Sequence, residues 1–177
     1  MSFWNSAGKP VLVLVLVCLI AGIVLSSANM VTAPVIAANE EEEKAQTYFA
    51  ALPEADHFTP VECAIENVTA VLQADNGAGW VITAQSRGYG GQVPAAVAFS
   101  PDGTILRVIM MANSETPGLG QKVTEEAFSQ QFSGRAATAF TIDSIDAVSG
   151  ATISSRAAVN AIDLAIEAFH EVSGGAQ

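Results

Sequence analysis

The chain opens with a long apolar segment that carries no charge. Residues 10–27 read PVLVLVLVCLIAGIVLSS, and the first charged residue after Lys9 is Glu40. About 20 predominantly apolar residues are enough for a helix that crosses a bilayer. The pattern therefore predicts a transmembrane helix region at residues 10–38. The alternative is a cleaved signal peptide, because SSA and IAA offer small residues at possible cleavage sites.

The polar and apolar positions that follow predict a continuation of this helix and then several strands. The segment EEEEKAQTYFAALPEA continues the helix and ends it before Pro53. The segments GWVITAQSR, PAAVAFS and TILRVIMM have the composition and length of strands. The last two are separated by PDG, a strong turn signal, so we expect them to form a hairpin.

The C-terminal part combines short elements with one long helix. TEEAFSQQF predicts a short helix with Thr124 as its N-cap, and TAFTI and SIDAV are strand candidates. The segment SSRAAVNAIDLAIEAF predicts an amphipathic helix from about Ser154 to Phe169, packed on a sheet. Its apolar residues at helical spacing are Val159, Ile162, Ile166 and Phe169. Because hairpin signals replace alternating strand and helix units, we expect an α+β fold with an antiparallel-rich sheet packed with helices.

These elements divide the chain into four predicted segments. They are an N-terminus at 1–9, the transmembrane helix region at 10–38, a membrane-proximal helix and connector at 39–78, and an outer domain at 79–177. Positive residues are enriched on the cytoplasmic side of membrane helices, and Lys9 precedes the helix whereas EEEE follows it. We therefore expect a single-pass protein of the cell (inner) membrane, with a cytoplasmic N-terminus and an extracytoplasmic domain.

Composition argues against several classes of function. The net charge of −11 repels phosphate backbones, so we expect no nucleic-acid binding. Cys18 lies in the apolar run and Cys63 far from it, so they form no metal-binding cluster. His57 and His170 are isolated, and no Ser/His/Asp order supports a catalytic triad. We expect no metal and no catalytic residue.

Three glycine-containing loops are the candidates for a ligand site. They read RGYGGQ, ETPGLGQK and DAVSGAT, and glycine lets the backbone approach a ligand closely. SGAT also opens the C-terminal helix, whose free N–H groups favour a phosphate, with hydroxyl contacts from Ser149, Thr152 and Ser154. The alternative is that Ser149 or Thr152 only caps the helix.

DAVSGAT, together with ETPGLG upstream and an N-terminal membrane helix, resembles the covalently flavinylated FMN-binding domain family. Its best-known members are the G subunit of the Rnf electron-transport complex and the C subunit of the sodium-translocating NADH:quinone reductase. The resemblance is clearest from about Gly79 to Phe169, and makes 79–177 an FMN-binding domain. The shortness of the chain favours the Rnf G subunit.

The resemblance implies covalent FMN on Thr152, through a phosphoester formed by a flavin transferase that takes FMN from FAD. Asp146, six residues earlier, belongs to the sequence that the transferase recognises. ETPGLG is placed beside the flavin ring. The implied cofactor-binding residues are Thr152, Ser149, Gly150, Ala151, Asp146, Glu115, Thr116, Gly118, Leu119, Gly88, Tyr89 and Gly90. Relatives often carry a His two residues before the Glu of ETPGLG, whereas this chain has Asn113, which gives no support to a proton-donating His.

The function implied by the resemblance is electron relay through FMN in an Rnf-type ion-translocating ferredoxin:NAD oxidoreductase complex. Its partners would be the other membrane and iron–sulfur or flavin subunits. Such a chain is a subunit of a translocase and not an independent catalyst. Two alternatives stay open: a free-standing flavinylated domain of an extracytoplasmic reductase, and a non-redox membrane-anchored binding or scaffold module.

Overall fold

The computed structural model describes residues 8–174, and its first element is a single long helix. Helix α1 spans Lys9–Ala51, which confirms the helix that was predicted to end before Pro53. The chain forms two compact units, Met1–Lys44 and Ala45–Gln177. The predicted N-terminal segment 1–9 lies outside the described residues except for its last two. The boundaries of the four predicted segments stay predictions.

In the first unit, the side chains of α1 form an apolar surface. The large apolar side chains between Val11 and Ile36 are exposed, and no acidic residue precedes Glu40. Among the described residues, α1 is the one helix that is long and apolar enough to cross a membrane. Exposed apolar side chains over that length are what a lipid environment favours.

The second unit contains a five-stranded sheet in which each strand pairs with the next one along the chain. All four pairings are antiparallel, so the sheet is a meander and the predicted α+β class is confirmed. The predicted hairpin around PDG is the β4–β5 pair. The strands are β1 (Phe58–Pro60), β2 (Val68–Ala74), β3 (Trp80–Arg87), β4 (Gln92–Phe99) and β5 (Ile105–Met110).

Two parts of the sheet differ from the sequence prediction. Strands β1 and β2 were not predicted, because they are short, partly exposed and lack a continuous apolar run. TAFTI and SIDAV do not form strands, and a 3₁₀ helix at Ile142–Ser144 joins them. Phe140 from TAFTI is instead buried, with its ring 5.1 Å from that of Phe132. These apolar residues therefore fill the core as side chains from a loop.

Helix α3 spans Thr152–Gly174 and covers one face of the sheet. Its predicted apolar face is confirmed, because Val159, Ile162, Ile166 and Phe169 are all buried. Phe169 stacks on Phe99 of β4, with ring centroids 4.7 Å apart. The other face of the sheet packs against the end of α1 and the residue after it, where Ala51 and Leu52 are buried. The central strands are thus held from both sides.

Between β5 and α3 the chain forms short helical turns. A 3₁₀ helix at Gly120–Thr124 is followed by α2 (Glu126–Ser129) and by a 3₁₀ helix at Gln130–Phe132. The short predicted helix is therefore present but broken into pieces. Its N-cap is Glu125 and not Thr124, because the Thr124 hydroxyl donates to the carbonyl of Gln121 at 2.8 Å in the preceding turn.

Candidate functional site

Antiparallel pairing brings the three glycine-containing loops to one end of the sheet. The GYGG sequence is the tight turn between β3 and β4, since Arg87 pairs with Gln92 across it. Met110, the last residue of β5, pairs with Ala95 near the start of β4. The loop that leaves β5 and carries ETPGLG therefore begins beside the GYGG turn. Helix α3 begins at Thr152 and completes the group.

The carboxylate of Glu115 connects all three loops. Its Oε1 accepts the backbone N–H of Gly90 at 2.8 Å and that of Gly91 at 3.3 Å. Its Oε2 accepts the hydroxyl of Ser154, in the first turn of α3. Glu115 is only 1% exposed. A buried carboxylate is tolerated when its oxygens are hydrogen-bonded in this way.

The hydrogen bonds keep Glu115 ionised in spite of its burial. Burial raises the pKa of Glu115, but the hydroxyl of Ser154 and the backbone N–H groups of Gly90, Tyr89 and Gly91 together lower it by more. The pKa of Glu115 therefore lies below its ordinary value of 4.5. Hydrogen bonds to the charged form of a carboxylate act in this direction.

Three glycines leave room for these contacts. A Cβ on Gly88 would lie 2.5 Å from Oε1 of Glu115, and one on Gly120 would lie 2.7 Å from Oγ of Ser154. A Cβ on Gly90 would collide with the carbonyl oxygen of Ser114. All three positions therefore require a residue without a side chain. Gly88 packs against the carboxylate of Glu115, and Gly90 packs against the backbone of Ser114, the residue before Glu115.

Two tight turns face each other next to this cluster. In TPGL, the N–H of Leu119 donates to the carbonyl of Thr116 at 3.1 Å, and Gly118 has a φ of 71°. The Pro-Gly pair and the positive φ are the signature of a type II turn. In VSGA, Gly150 has a φ of 79°. The side chain of Leu119 lies against it: a Cβ added to Gly150 would be 3.3 Å from Cδ1 of Leu119.

The turns enclose a cleft of about 460 Å³ at the start of α3. Pockets of roughly 300–1,000 Å³ hold small molecules and cofactors. None of the lining residues is charged, and three of them present large, exposed side chains: Tyr89 (74%), Leu119 (42%) and Ile153 (57%). The lining residues are Tyr89, Thr116, Leu119, Gly120, Gly150, Ala151, Thr152, Ile153 and Ser154.

The hydroxyl groups near the start of α3 differ in access. Thr152 is exposed and lines the cleft, whereas Ser154 and Ser155 are 3% and 0% exposed. The Ser155 hydroxyl accepts the N–H of Val148 at 3.0 Å. The Ser154 hydroxyl donates to Glu115, so its proton is not free for the phosphate contact expected from the sequence. Ser149 lines a different hollow.

The residues around Thr152 fit an aromatic ring system with a phosphate. Helix α3 has 23 residues, and the N–H groups of its first turn have no intrahelical acceptor by position. Such a helix N-terminus favours a phosphate group. The exposed side chains of Tyr89, Leu119 and Ile153 offer apolar surface for a ring beside it.

The structure brings together half of the residues that the sequence pointed to. Those that line the cleft are Tyr89, Thr116, Leu119, Gly150, Ala151 and Thr152. Glu115, Gly88 and Gly90 lie behind its wall, Gly118 forms the adjacent turn, and Asp146 and Ser149 line a neighbouring hollow. Their roles in cofactor binding stay predictions. Sequence reasoning did not single out Ile153, which directly follows DAVSGAT, or Gly120, which is the last residue of ETPGLG.

The side chain of Asn113 closes the loop that carries Glu115. Its Oδ1 accepts the N–H of Glu115 at 3.1 Å, and its Nδ2 donates to the carbonyl of Met111 at 3.3 Å. An amide that both accepts and donates can make these two contacts at once. Asn113 therefore supports the loop that carries Glu115.

Sequence comparison gives relatives along almost the whole chain. A family model described as an FMN-binding domain matches residues 88–167. The chain is 30% identical, over 169 residues, to the G subunit of a proton-translocating ferredoxin:NAD(+) oxidoreductase complex from Clostridium ljungdahlii; the match covers 92% of this chain and 91% of that one. It is 28% identical to the G subunit of the Na(+)-translocating complex from Acetobacterium woodii, covering 96% and 95%.

Solved structures with the same fold are also found. The C subunit of the Na(+)-translocating NADH-quinone reductase from Parabacteroides distasonis has a TM-score of 0.50 and 20% identity, and the match covers 62% of this chain and 63% of that one. NqrC from Shewanella oneidensis has a TM-score of 0.50 and 21% identity, covering 67% and 70%. At these identities the likeness is one of fold.

Proposed function

The chain belongs to the family of G subunits of Rnf-type ion-translocating ferredoxin:NAD(+) oxidoreductase complexes and carries its FMN-binding domain, and on this basis we propose that it relays electrons through FMN bound covalently to Thr152. FMN stores one or two electrons, and a protein positions the ring and tunes its potential. A subunit with this task needs a shaped cleft and no catalytic residue of its own.

The observation that carries the proposal is the position of the Thr152 hydroxyl. Thr152 is exposed and lines an uncharged cleft at the start of a long helix. A phosphate attached there would lie at the N-terminus of that helix, whose free N–H groups would offset its charge in a domain with excess acid. Ser154 and Ser155 follow closely in sequence but are buried and hydrogen-bonded, which supports Thr152 as the acceptor.

Attachment requires a separate flavin transferase, because a threonine hydroxyl is a weak nucleophile at neutral pH. Oγ1 of Thr152 attacks the phosphorus on the FMN side of FAD and forms the new O–P bond. The bond between that phosphorus and the bridging oxygen breaks, and AMP leaves. The hydroxyl proton passes to a base of the transferase. The exposed Asp146 side chain, on the same loop, is the recognition contact for that enzyme.

Helix α1 anchors the chain in the cell membrane as a single pass, with the FMN domain on the extracytoplasmic side. Its apolar length and the position of Lys9 before it support this orientation. The relatives are subunits of ion-translocating complexes, which supports other subunits of such a complex as the partners. Electrons then enter and leave the cleft through those subunits.

The test of attachment is the mass of the purified chain after co-expression with a flavin transferase. The wild type gains one FMN that survives denaturation, and Thr152→Ala gains none while it still folds and inserts. Thr152→Ser keeps part of the label because the hydroxyl remains. Ser149→Ala removes the other exposed hydroxyl of this loop, so a label that is retained there excludes Ser149 as the acceptor. Covalent flavin on the Thr152→Ala chain would refute the attachment.

The test of orientation is protease access. Protease added to spheroplasts should digest the domain after residue 45, and inverted vesicles should protect it. The reverse pattern would place the flavin on the cytoplasmic side. Purification with mild detergent should recover the chain together with other membrane subunits; a chain that purifies alone supports a free-standing reductase domain instead.

A further inference from the structure

Glu115 is a buried, ionised side chain that the attachment of FMN does not use. We propose that it is a positioning residue of the flavin site, which holds the three walls of the cleft in place and keeps a fixed negative charge behind them. This inference rests on the proposed function. Because Glu115 is 1% exposed, it acts without touching a ligand in the cleft.

Each wall of the cleft is connected to Glu115, either by a hydrogen bond to its carboxylate or through the backbone. The hydrogen bond from Gly90 holds the turn that carries Tyr89. The backbone of Glu115 continues directly into Thr116 and the turn that contains Leu119. The tie to Ser154 holds the first turn of α3, two residues after Thr152. The carboxylate is thus the shared link between the GYGG turn and α3.

The surroundings are shaped to this carboxylate. Gly88 and Gly120 lie close to the two carboxylate oxygens of Glu115. A Cβ added to Gly88 would be 2.5 Å from Oε1, and one added to Gly120 would be 2.9 Å from Oε2. Glycine carries a conformational cost in a folded chain, and it is favoured where another group must approach the backbone closely. Two such positions around one side chain indicate that the local packing depends on Glu115.

The charge of Glu115 is stabilised but not neutralised by its partners. Gly90, Gly91 and Ser154 are neutral donors. A negative charge behind the wall of a flavin cleft opposes the addition of electrons to the ring, and it acts more strongly in a site of low dielectric. The charge therefore shifts the flavin to a lower reduction potential. A purely structural role would leave the potential where it is.

Two substitutions separate the contacts from the charge. In Glu115→Gln, the amide oxygen still accepts from Gly90 and Gly91 and the amide nitrogen donates to Ser154, so the ties remain and the charge is lost. In Ser154→Ala, the hydrogen bonds to the GYGG turn remain and the hydrogen bond to α3 is lost. Glu66→Gln removes an exposed glutamate in the connection before β2 and is the matched control.

The first measurement is made on the 177-residue chain without flavin, in detergent. Hydrogen exchange at Gly90 and Gly91 should stay slow in Glu115→Gln and Ser154→Ala and become several-fold faster in Glu115→Ala. The second is the rate of covalent labelling by the transferase, which should fall several-fold in Ser154→Ala and stay near wild type in Glu115→Gln. The third is the flavin potential, which should rise in Glu115→Gln and stay unchanged in Glu66→Gln.

Two results would overturn the proposal. One is a wild-type labelling rate in Ser154→Ala together with unchanged exchange in Glu115→Ala, which would mean that the carboxylate positions nothing. The other is an unchanged potential in labelled Glu115→Gln, which would mean that its charge does not reach the flavin. Failure of the proposed function looks different, because the wild type itself would then take no covalent label while the exchange results would stand.

Discussion

The side-chain amide of Gln131 pairs with both backbone groups of Asp146. Its Oε1 accepts the N–H of Asp146 at 2.6 Å, and its Nε2 donates to the carbonyl of Asp146 at 3.3 Å. The side chain of Asp146 stays exposed. Further along the same loop, the hydroxyl of Ser155 fixes the N–H of Val148. The loop before Thr152 is thus held by its backbone, and it leaves the Asp146 side chain accessible.

If Thr152 is labelled as proposed, Gln131→Ala should slow the labelling, because the loop before Thr152 loses one of its anchors. A several-fold lower labelling rate is expected, with the final extent of labelling preserved. Gln131→Glu keeps the acceptor and loses the donor, so its rate should fall in between. Gln130→Ala removes a neighbouring amide that donates to Glu126 instead of to the loop, and it should label at the wild-type rate. Equal rates in all four chains would disprove the role of Gln131.

Gly90→Ala should destabilise the domain, whereas Gly91→Ala should be tolerated. The new Cβ at Gly90 collides with the carbonyl of Ser114, but the one at Gly91 would be 3.4 Å from Cβ of Ser114, an ordinary contact. Overpacking of this kind costs about 1–3 kcal/mol. Urea unfolding followed by tryptophan fluorescence measures the difference. Similar unfolding midpoints for the two variants would show that the turn adjusts to the added methyl group.

Leu119→Ala should shift the absorption maximum or the potential of the bound flavin while leaving the covalent label in place. Leu119 is 42% exposed and lines the cleft with Thr152. Leu106 is a well-matched control, since it is 41% exposed and lies on β5 in a different hollow. Leu106→Ala should leave both properties unchanged. An unaltered spectrum and potential in Leu119→Ala would place the ring elsewhere.

Asp163→Asn should stabilise the domain at neutral pH but not in acid. Burial raises the pKa of Asp163 above its ordinary value of 3.8, against the smaller effect of the Phe140 N–H that it accepts at 2.8 Å. The folded state therefore favours the protonated form of Asp163. The contribution of this protonation to the stability of the domain is fully present below pH 3.8, and it is lost as the pH rises through the pKa of the folded state. Asparagine keeps the acceptor for Phe140 and carries no charge.

Unfolding midpoints at two pH values test this prediction. At about pH 7 the Asp163→Asn chain should unfold at a higher urea concentration than the wild type, and near pH 3 the two chains should unfold together. Asn160→Asp, on the same helix but exposed, supplies a comparison that adds an acid without burying it. A gain for Asp163→Asn that is equal at both pH values would point to a cause other than ionisation.

The long helices and the central strands could be predicted from the sequence because their patterns are local. The apolar run after Lys9 and the helical spacing from Val159 to Phe169 each contain enough residues to define one element. Strand β2 could not be predicted in this way, because its segment is half exposed and becomes a strand through its pairing with β3. TAFTI has the composition of a strand, but Phe140 is drawn into an aromatic cluster that composition does not reveal.

The site was predictable only where its residues stand in motifs. Leu119 and Thr152 belong to the glycine-containing loops, and the structure places both at the cleft. The part played by Glu115 was not predictable, since its partners Gly90 and Ser154 are 25 and 39 positions away in the chain. A carboxylate beside a Gly-rich loop suggests a ligand contact. In the fold, however, this carboxylate is buried and its oxygens accept hydrogen bonds from the protein itself.

The GYGG turn connects β3 and β4, two central strands whose side chains are buried on both faces of the sheet. A redox group beside this turn would rest on regular elements that have little freedom to shift. Preorganised surroundings do not have to rearrange when charge arrives, so the reorganisation energy of electron transfer stays low. A turn this short would therefore keep a flavin beside it at a fixed position relative to β3 and β4 through every turnover.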